Sequence, residues 1–396
     1  MIGVGAEGPV AMPPVSGGDR AADGNAAAST ERGGWMTLDL GRLDPRVEVP
    51  YWIALSLVPG IGPVGFARLL HRFGSAEAAW AAGPLLLDVL PRTTDDAGPV
   101  LARLRREGAE AVAARVREAT RRAGGGVLTA LDDGYPRALS SADPRPPVLY
   151  LAGDAAALGG PSVAIVGTRR ASGYGRACAA EIANELARAG VTVVSGLAIG
   201  IDAQAHAAAI LAGGRSIAVL PSPLDQVYPP RNRDLAARLV ATGGALVSEI
   251  PPGHLPGKPD FARRNRIIAG LARAVVVVEA PDRSGALLTA SAATDLGREL
   301  FAVPGPIDAV ASRGCNRLIA DHQASIVTSA AALLHRIGAE PGRRPVSVTS
   351  LSDSEAMVLH SLLQRPGSIE ELIGRTRLAT GSLASTLTLL EARGLV

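Results

Sequence analysis

The sequence predicts an α/β fold in which a doubly wound parallel sheet stands between two helical regions. Six short runs of β-branched or aliphatic residues recur through the middle of the 396-residue chain. All but one of the gaps between them are long enough for a helix. Apolar strands that alternate with helices are typical of a parallel sheet covered on both faces. The flanking regions show helical spacing instead, which predicts helical domains there.

The composition is that of a soluble globular protein. Apolar residues make up 47% of the chain, charged residues 19%, and the formal net charge is +3. A chain of this length has room for two or three domains. Lys258 is the only lysine, so arginine carries nearly all of the positive charge. The mild net charge permits nucleic-acid binding without requiring it.

No feature of the sequence indicates a metal, a cofactor or a membrane. Cys178 and Cys315 lie far apart and predict neither a disulfide framework nor a metal site, and the six histidines are scattered. No stretch reaches the roughly 20 apolar residues of a membrane-spanning helix, and the N-terminus shows no secretory signal. The simplest expectation is a cytoplasmic protein.

Glycine, alanine and proline dominate the first 45 residues, which predicts a disordered tail, and Met36 marks an alternative start. A helical domain is expected over residues 46–125. Its segment "VPGIGPVGFARLLHRFGS" resembles a helix-hairpin-helix element, whose glycine turn presents backbone N–H groups to a DNA phosphate. A second helical stretch runs from Leu101 to Arg122, and "AGGG" at 123–126 indicates a boundary.

The expected sheet domain covers residues 126–335. Its predicted strands are "SVAIV" at 162, "VTVV" at 191, "SIAVL" at 216, "ALVS" at 245, "AVVVV" at 274 and "LFAV" at 300. Between them, "GRACAAEIANELARAG" and "GIDAQAHAAAILAG" have helical spacing and end at glycine. Asp202 and His206 lie four apart on the second of these helices. No nucleophile accompanies them, so a structural contact is expected between them rather than a catalytic pair.

The C-terminal region predicts a separate small domain. Residues 336–347 have the composition of a linker, and residues 348–396 hold three amphipathic helical stretches. Ser352 with Glu355, and Ser368 with Glu371, have the spacing of a capping box. A short helix, a tight turn and a longer helix predict a winged-helix-like unit, with the wing missing because the sequence stops where it would begin.

The loop after the first of these strands, "IVGTRRASGYG", is suited to an anion. Neither G-x-G-x-x-G nor G-K-[ST] occurs, so the dinucleotide and P-loop fingerprints are absent. The loop instead offers Gly167, Thr168, Arg169 and Arg170 just before a helix. Backbone N–H groups beside a forked cation suit a phosphate. The alternative is an ordinary strand-to-helix turn with surface arginines.

Other candidate residues follow the later strands. In an open parallel sheet, ligands bind beyond the carboxyl ends of the strands, where strand order reverses. Three further turns therefore supply candidates on the same rim: Ser195 and Gly196, Arg231 and Asn232, and Ser284 and Gly285.

The segment "FARRNRIIAGLARAVVVVEA" places three arginines, Arg263, Arg264 and Arg266, around Asn265 and just ahead of a core strand. Several cations near Arg169 suit a polyanion that runs along a groove, because one phosphate needs only one or two arginines. The alternative is a solvated helix start whose arginines pair with Glu249 or Asp260.

Several motifs, in this order, resemble the DprA (Smf, DNA-processing protein A) family of bacteria. They are "VAIVGTRRASGYG", "SGLAIGIDAQAH", "LDQVYPPRNRDL", "FARRNRIIAGLARAVVVVEA" and "SGALLTASAATDLGRELFAVPG". The resemblance covers Tyr51 to Ala331. It implies an extended Rossmann-like fold that binds single-stranded DNA, protects it and helps to load the RecA recombinase during natural transformation. It also implies a homodimer that has no enzymatic activity and needs no cofactor.

By the same resemblance, Arg169 is the principal phosphate contact. The floor of the pocket would consist of Gly167, Thr168, Ser195 and Gly196, and the strand would follow Arg263, Arg264, Asn265 and Arg266. The N-terminal domain would be sterile-alpha-motif-like. The sequence departs from the family pattern at Ile199, where arginine is common, and at Pro221 and Ser222, which replace a turn with glycine.

An enzyme is the alternative function. The same scaffold occurs in nucleoside-monophosphate phosphoribohydrolases of the lysine-decarboxylase-like group. Those enzymes carry a P-G-G-x-G-T-x-x-E signature with a catalytic glutamate. Neither "VPGPIDAVASRG" nor "EAPDRSGALLTA" supplies it, so a non-catalytic DNA-binding protein is the favoured prediction.

Overall fold

A computed structural model of the chain describes residues 38–90, 94–339, 352–364 and 367–392. The first elements among these residues form a cluster of five α-helices: α1 (Pro45–Ser56), α2 (Pro63–Phe73), α3 (Ala76–Ala81), α4 (Ala97–Glu107) and α5 (Ala109–Arg122). The side chain of Asp44 accepts a hydrogen bond from Arg46 N and so caps α1, and Ser75 caps α3 in the same way. The predicted helical character of this region is confirmed.

Residues 38–45 correct the expected length of the N-terminal tail. Leu40–Arg42 form a 3₁₀ turn, and Leu38, Leu40 and Leu43 pack against the core of the helical cluster. These three leucines bury apolar surface, which a Gly/Ala/Pro count over the whole segment does not register. Residues 1–37 of the predicted tail, including Met36, lie outside the described residues.

In the part of the chain that the structure describes, the sheet contains nine strands: β1 (Gly125–Thr129), β2 (Val148–Gly153), β3 (Ser162–Gly167), β4 (Thr192–Ser195), β5 (Ser216–Leu220), β6 (Ala245–Ser248), β7 (Ala274–Glu279), β8 (Glu299–Ala302) and β9 (Ser325–Ile326). All six predicted strands are confirmed as β3 to β8. Every residue of β4, β5, β6 and β7 is buried, as expected for strands that are covered on both faces.

Strand order locates the place where a ligand would bind. The order is β1-β2-β6-β5-β4-β3-β7-β8-β9, and neighbours from β6 to β9 are parallel, while β2 is antiparallel to both β1 and β6. The chain winds from β3 outward to β6 and then returns to the other side of β3 with β7. Strand order therefore reverses at β3, and the carboxyl ends of β3 and β7 border the crevice typical of such sheets.

Helices cover both faces of the sheet, as the doubly wound prediction requires. They are α6 (Arg137–Ser140), α7 (Gly173–Arg188), α8 (Ile201–Leu211), α9 (Arg233–Ala241), α10 (Lys258–Leu271), α11 (Gly285–Asp295), α12 (Arg313–Ala320) and α13 (Ala330–Arg336). The N-terminal helices share one buried cluster with the sheet, in which Trp52 and Phe66 join Tyr150 and Leu220. The helical cluster is therefore packed onto the sheet by a common core.

The C-terminal region forms three helices, α14 (Asp353–Gln364), α15 (Ile369–Thr376) and α16 (Thr380–Ala392). Val358, Leu372, Leu383 and Leu390 make their own buried cluster. Both predicted capping boxes are confirmed by reciprocal backbone-to-side-chain hydrogen bonds. Residues 340–351 and 393–396, which include most of the predicted linker and the predicted site of the missing wing, lie outside the described residues. The division of the chain into domains stays a prediction.

Candidate nucleic-acid interface

Backbone hydrogen bonds to β7 and to α8 hold the loop that follows β3 in place. Thr168 N donates to Glu279 O of β7 (2.7 Å), and Ile201 N of α8 donates to Thr168 O (3.3 Å). A Cβ on Gly167 would lie 2.5 Å from Ile201 Cγ1, so only glycine lets α8 approach this closely. The backbone of Arg169, the next residue, is thereby held at the rim of the sheet.

Arg169 is exposed and stacks on an aromatic pair. Its guanidinium lies 5.5 Å from the centroid of the Phe261 ring. Phe261 in turn meets Tyr228 edge-to-face, with the two centroids 5.4 Å apart. Cation–π contact favours one orientation of the guanidinium without removing it from solvent. The Arg169 guanidinium and the rings of Phe261 and Tyr228 therefore lie close together at the crevice.

Arg264 is buried beneath this group. Its Nη1 donates to Gly196 O (2.5 Å) and to Val219 O (2.6 Å), and its Nε donates to Asn265 Oδ1 (3.2 Å). Burial lowers the pKa of Arg264 to about 10, against the opposing effect of the Asp202 charge. The side chain therefore remains a cation at neutral pH, and it ties the ends of β4 and β5 together.

The turn after β4 is organised by a buried carboxylate. Asp202 Oδ2 accepts hydrogen bonds from Gly196 N (3.1 Å) and Ala198 N (3.4 Å). Burial raises the pKa of Asp202, and the nearby Arg264 charge lowers it. A Cβ on Gly196 would collide with the Arg264 guanidinium. Glycine is therefore required where this turn crosses the buried arginine.

The expected contact between Asp202 and His206 is wrong. His206 Nδ1 donates to Ser216 Oγ (2.7 Å), because that hydroxyl gives its own proton to Val193 O (2.8 Å). Burial lowers the pKa of His206 to about 3, so its ring is neutral. Spacing by four residues places both side chains on one side of α8, but Asp202 bonds the turn after β4 and His206 bonds Ser216 of β5.

An open groove of about 420 Å³ runs along the carboxyl edge of the sheet. Arg169 and Arg264 line one part of it, and Lys258 and Arg283 bring two more cations. The start of α11 forms another wall, where Ser284 Oγ accepts a hydrogen bond from Ala286 N (3.3 Å). We call this the edge groove. Asp202 is the only carboxylate among the described residues that line it.

A smaller nook of about 60 Å³ opens beside the edge groove. Arg169, Phe261 and Arg264 line both spaces, while Ile199, Pro221 and Tyr228 line the nook alone. Ile199 and Pro221 are two of the positions at which the sequence departs from the DprA pattern. They give the nook apolar walls.

The N-terminus of α7 is a position where doubly wound folds often bind a phosphate. In this protein the side chain of Glu279 already lies there. Glu279 Oε2 accepts a hydrogen bond from Ser172 N (2.8 Å), and a Cβ on Gly175 would collide with the same carboxylate. An internal anion thus occupies this helix N-terminus. Arg169 and the start of α11 lie outside this contact and line the edge groove.

The structure brings together part of the predicted set. Residues that line the edge groove or the nook are Gly167, Thr168, Arg169, Gly196, Arg264, Asn265, Ser284 and Gly285. Residues that line neither are Arg170, Ser195, Arg231, Asn232, Arg263 and Arg266.

Two of the residues outside the groove have clear structural roles. Ser195 is fully buried and donates to Ile165 O (2.6 Å). Asn232 is buried and donates to Leu197 O (2.8 Å), which holds the wall that carries Tyr228. Arg170 and Arg231 are exposed.

The expectation that all three arginines of α10 line the crevice is correct only for Arg264. Arg266 Nη2 lies 2.5 Å from Glu249 Oε1, and its Nη1 donates to Pro144 O. Arg263 lies 3.6 Å from Glu249 and 3.5 Å from Asp260. Each residue turns an α-helix by about 100°, so Arg263 and Arg266, one residue before and two residues after Arg264, point away from the side of α10 that Arg264 occupies. Arg263 and Arg266 therefore form ion pairs with Glu249 or Asp260, as the alternative hypothesis predicted.

Sequence reasoning missed four residues of the site. Lys258, Phe261 and Arg283 line the edge groove, and Tyr228 lines the nook. Phe261 and Lys258 precede Arg264 by three and six residues, which is about one and two helical turns. That spacing places all three on the same side of α10 and was visible in the sequence.

Comparison with known proteins decides the family. A family model for DNA recombination-mediator protein A matches residues 126–338, more than half of the chain, and a DprA-like N-terminal HHH domain matches residues 50–113. The chain belongs to the DNA recombination-mediator protein A family. The resemblance drawn from its motifs is thereby confirmed, and so is the fold that the DprA family implies.

Relatives of this DprA family member match over most of its length. Protein Smf of Synechocystis sp. is 34% identical over 388 residues, which is 88% of this chain and 96% of the relative. A putative DNA processing protein DprA of Mycobacterium tuberculosis is 38% identical over 294 residues, 69% of this chain and 75% of the relative. The X-ray structure of DNA processing protein A from Streptococcus pneumoniae has a TM-score of 0.60 at 32% identity, covering 72% of this chain and 95% of the other.

The described ranges contain no group of three or more His, Cys, Asp and Glu side chains that could hold a metal ion. Within the same ranges, no helix has both the length and the apolar character that a bilayer crossing requires.

Proposed function

We propose that this protein binds single-stranded DNA in the edge groove and catalyses no reaction on the strand. The observation that carries the proposal is the group formed by Arg169, Phe261 and Tyr228, where the edge groove and the nook share lining residues. A cation beside aromatic rings, of which Tyr228 is exposed, can bind both components of a single strand, the phosphate and the base. Membership of a recombination-mediator family supports DNA as the polyanion.

Phosphates would follow the cations of the groove. Arg169, Lys258 and Arg283 are exposed along it, and Arg264 adds a fixed buried charge. The start of α11 contributes backbone N–H groups at Gly285. Each neutralised phosphate of a single strand contributes about −0.7 to the slope of log affinity against log salt. Binding by these side chains is therefore expected to weaken steeply as salt is added.

The nook favours a single strand over a duplex. It is about 60 Å³ in volume and is lined by the rings of Tyr228 and Phe261. A base can stack against these rings only if its own ring face is free, whereas a duplex keeps its bases stacked and paired. Contacts with ring faces are tolerant of sequence, because every base has one.

The wider role follows the family. We propose that the bound strand is protected and passed to the RecA recombinase during recombination or natural transformation, and that the protein acts as a homodimer in the cytoplasm. Support for this part is the family assignment and the names of the relatives as DNA processing proteins.

The absence of catalysis is proposed from the groove chemistry. Asp202, its only carboxylate among described lining residues, already accepts two backbone hydrogen bonds. Glu279 is buried against Ser172 N. Incubation with nucleoside monophosphates should release no free base, and release of base would favour the phosphoribohydrolase alternative.

The test of binding is fluorescence anisotropy with a labelled oligo-dT and a duplex of equal length, over a salt series. Wild type should prefer the single strand, and Arg169→Ala should lose at least about tenfold in affinity, since a charge-assisted contact is worth about 1.5–3 kcal/mol. Arg273→Ala is the matched control, because Arg273 is exposed immediately before β7, at the opposite edge of the sheet. Equal affinity of all three proteins for both ligands would refute the proposal.

A further inference from the structure

Lysine is confined to one position in this chain. Lysine and arginine together number 40, and Lys258 is the only lysine, so the other 39 are arginine. Arginine serves as well as lysine for phosphate contact and better for bidentate pairing. A chain that uses arginine almost everywhere gains nothing in phosphate binding from one lysine. The property that lysine alone adds is a side-chain amine that accepts an acyl group.

That single amine lies in the edge groove. Lys258 is the first residue of α10, is exposed, and lines the groove together with Arg169, Phe261 and Arg264. Within the part of the chain that the structure describes, its amine takes part in no ion pair. The carboxylate nearest in sequence, Asp260, is engaged by His254, Arg263 and Gly257 N. The amine is therefore open to reagents and adjacent to the proposed path of the strand.

We propose that Lys258 is an acylation site whose modification reduces binding in the edge groove. The reactant would be an activated acyl donor, an acyl phosphate or an acyl thioester. The amine nitrogen attacks the acyl carbon, a C–N amide bond forms, and the bond from that carbon to phosphate or thiolate breaks with its electron pair on the leaving group. The ammonium first gives up one proton to become the neutral amine that attacks, and the nitrogen gives up a second proton as the amide forms, to solvent or to the leaving group, so the positive charge is lost.

The expected effect of acylation rests on the proposed function and is confined to the edge groove. Acetyl-lysine keeps the length of the side chain but contributes no charge to the groove. The loss should lower affinity for single-stranded DNA about tenfold and reduce the magnitude of the salt slope by about 0.7. No other side-chain amine exists in the chain, so modification of side chains leaves every other cation unchanged.

The test uses a variant in which the lysine is moved from position 258 to position 273, at the opposite edge of the sheet. Wild type, Lys258→Arg, and a Lys258→Arg/Arg273→Lys double variant are treated with acetyl phosphate or acetyl coenzyme A in separate arms, and sites are mapped by mass spectrometry. The α-amino group is common to all three proteins. Oligo-dT affinity is then measured before and after treatment.

The expected result is acetylation at Lys258, with a fall in affinity of wild type and no fall in the two variants. Failure of both donors to modify Lys258 would overturn the proposal, as would acetylation at that residue without a change in affinity. An equal fall in the relocated variant would show a general charge effect and would also overturn it. Wild type that binds no single strand before treatment would instead refute the proposed function.

Discussion

Adjacent arginines of α10 perform different tasks, and Arg264 shows this most clearly. It is 7% exposed, donates to two main-chain carbonyl groups and lies close to the charge of Asp202. Arg263 is 42% exposed at its side chain and makes two long ion pairs. Arg264 is therefore a buried charge that organises the fold, whereas Arg263 is a charge at the surface.

Arg264→Ala should destabilise the protein by about 3–5 kcal/mol, because removing one member of a buried charged group leaves the others uncompensated. The free energy of unfolding from urea titration measures the loss. Arg263→Ala is the matched control and should change it by at most about 1 kcal/mol. Similar losses in the two variants would contradict the assignment of Arg264 as the organising cation.

His206 makes stability depend on pH. Burial lowers its pKa to about 3, while the unfolded chain binds a proton below about pH 6.5. The stability that this residue contributes is therefore present at neutral pH and is lost as pH falls from about 6.5 toward 3, by about 1.4 kcal/mol per pH unit.

The comparison that isolates this effect is wild type with His206→Gln. The difference in their unfolding free energies should shrink by about 1.4 kcal/mol between about pH 6 and pH 5. Parallel pH profiles would mean that the folded protein takes up this proton as readily as the unfolded chain.

At the scale of elements, the loops determine the positions of the groove residues. Gly200 precedes α8 with φ at +89°, and a Cβ there would meet Thr168 O and lie 2.9 Å from both C and O of Arg169. The turn before α8 thus abuts the backbone that carries the principal cation. The glycine acts on Arg169 without touching the groove itself.

Gly200→Ala should displace the Arg169 backbone and lower affinity for oligo-dT. Gly190→Ala is the control, because Gly190 also has a positive φ (+75°) but a Cβ there meets nothing within 4 Å. Gly190→Ala should lose about 1–2 kcal/mol of stability from its backbone conformation, Gly200→Ala should lose more because its Cβ would also collide with Thr168 O, and only Gly200→Ala should lose DNA affinity. Equal affinities for the two variants would show that the turn does not position Arg169.

The same scale shows what the sequence could predict and what it could not. Buried parallel strands are continuous apolar runs, so β3 to β8 were predictable. The strand β1 contains two glycines, and β9 has only two residues, which leaves too little pattern to detect. The buried roles of Ser195 and Asn232 depend on partners 30 and 35 residues away, and local spacing does not contain that information.

At the scale of the whole molecule, the hydrophobic cores divide the chain unequally. The N-terminal helices share a core with the sheet, in which Tyr150 and Leu220 are almost fully buried. The helices α14 to α16 have a core of their own. Removal of the first region should therefore damage the sheet, and removal of the last should not.

A chain that begins at residue 123 should unfold at a lower temperature than the full chain, since each large apolar side chain uncovered costs about 1.5–3 kcal/mol. A chain that ends at residue 339 should keep the melting temperature of the sheet and its affinity for oligo-dT. Calorimetry on the three chains measures this. An unchanged transition in the first truncation would contradict a shared core.

Photocross-linking tests the central claim most directly, because it locates the strand on the protein. Oligo-dT with 4-thiothymidine is bound to wild type, irradiated, and the linked peptides are identified by mass spectrometry. The predicted cross-links lie in the peptides that contain Arg169, Tyr228 and Phe261, and they are lost at high salt. Cross-links confined to the N-terminal helices or to α14–α16 would show that the edge groove is not the DNA site.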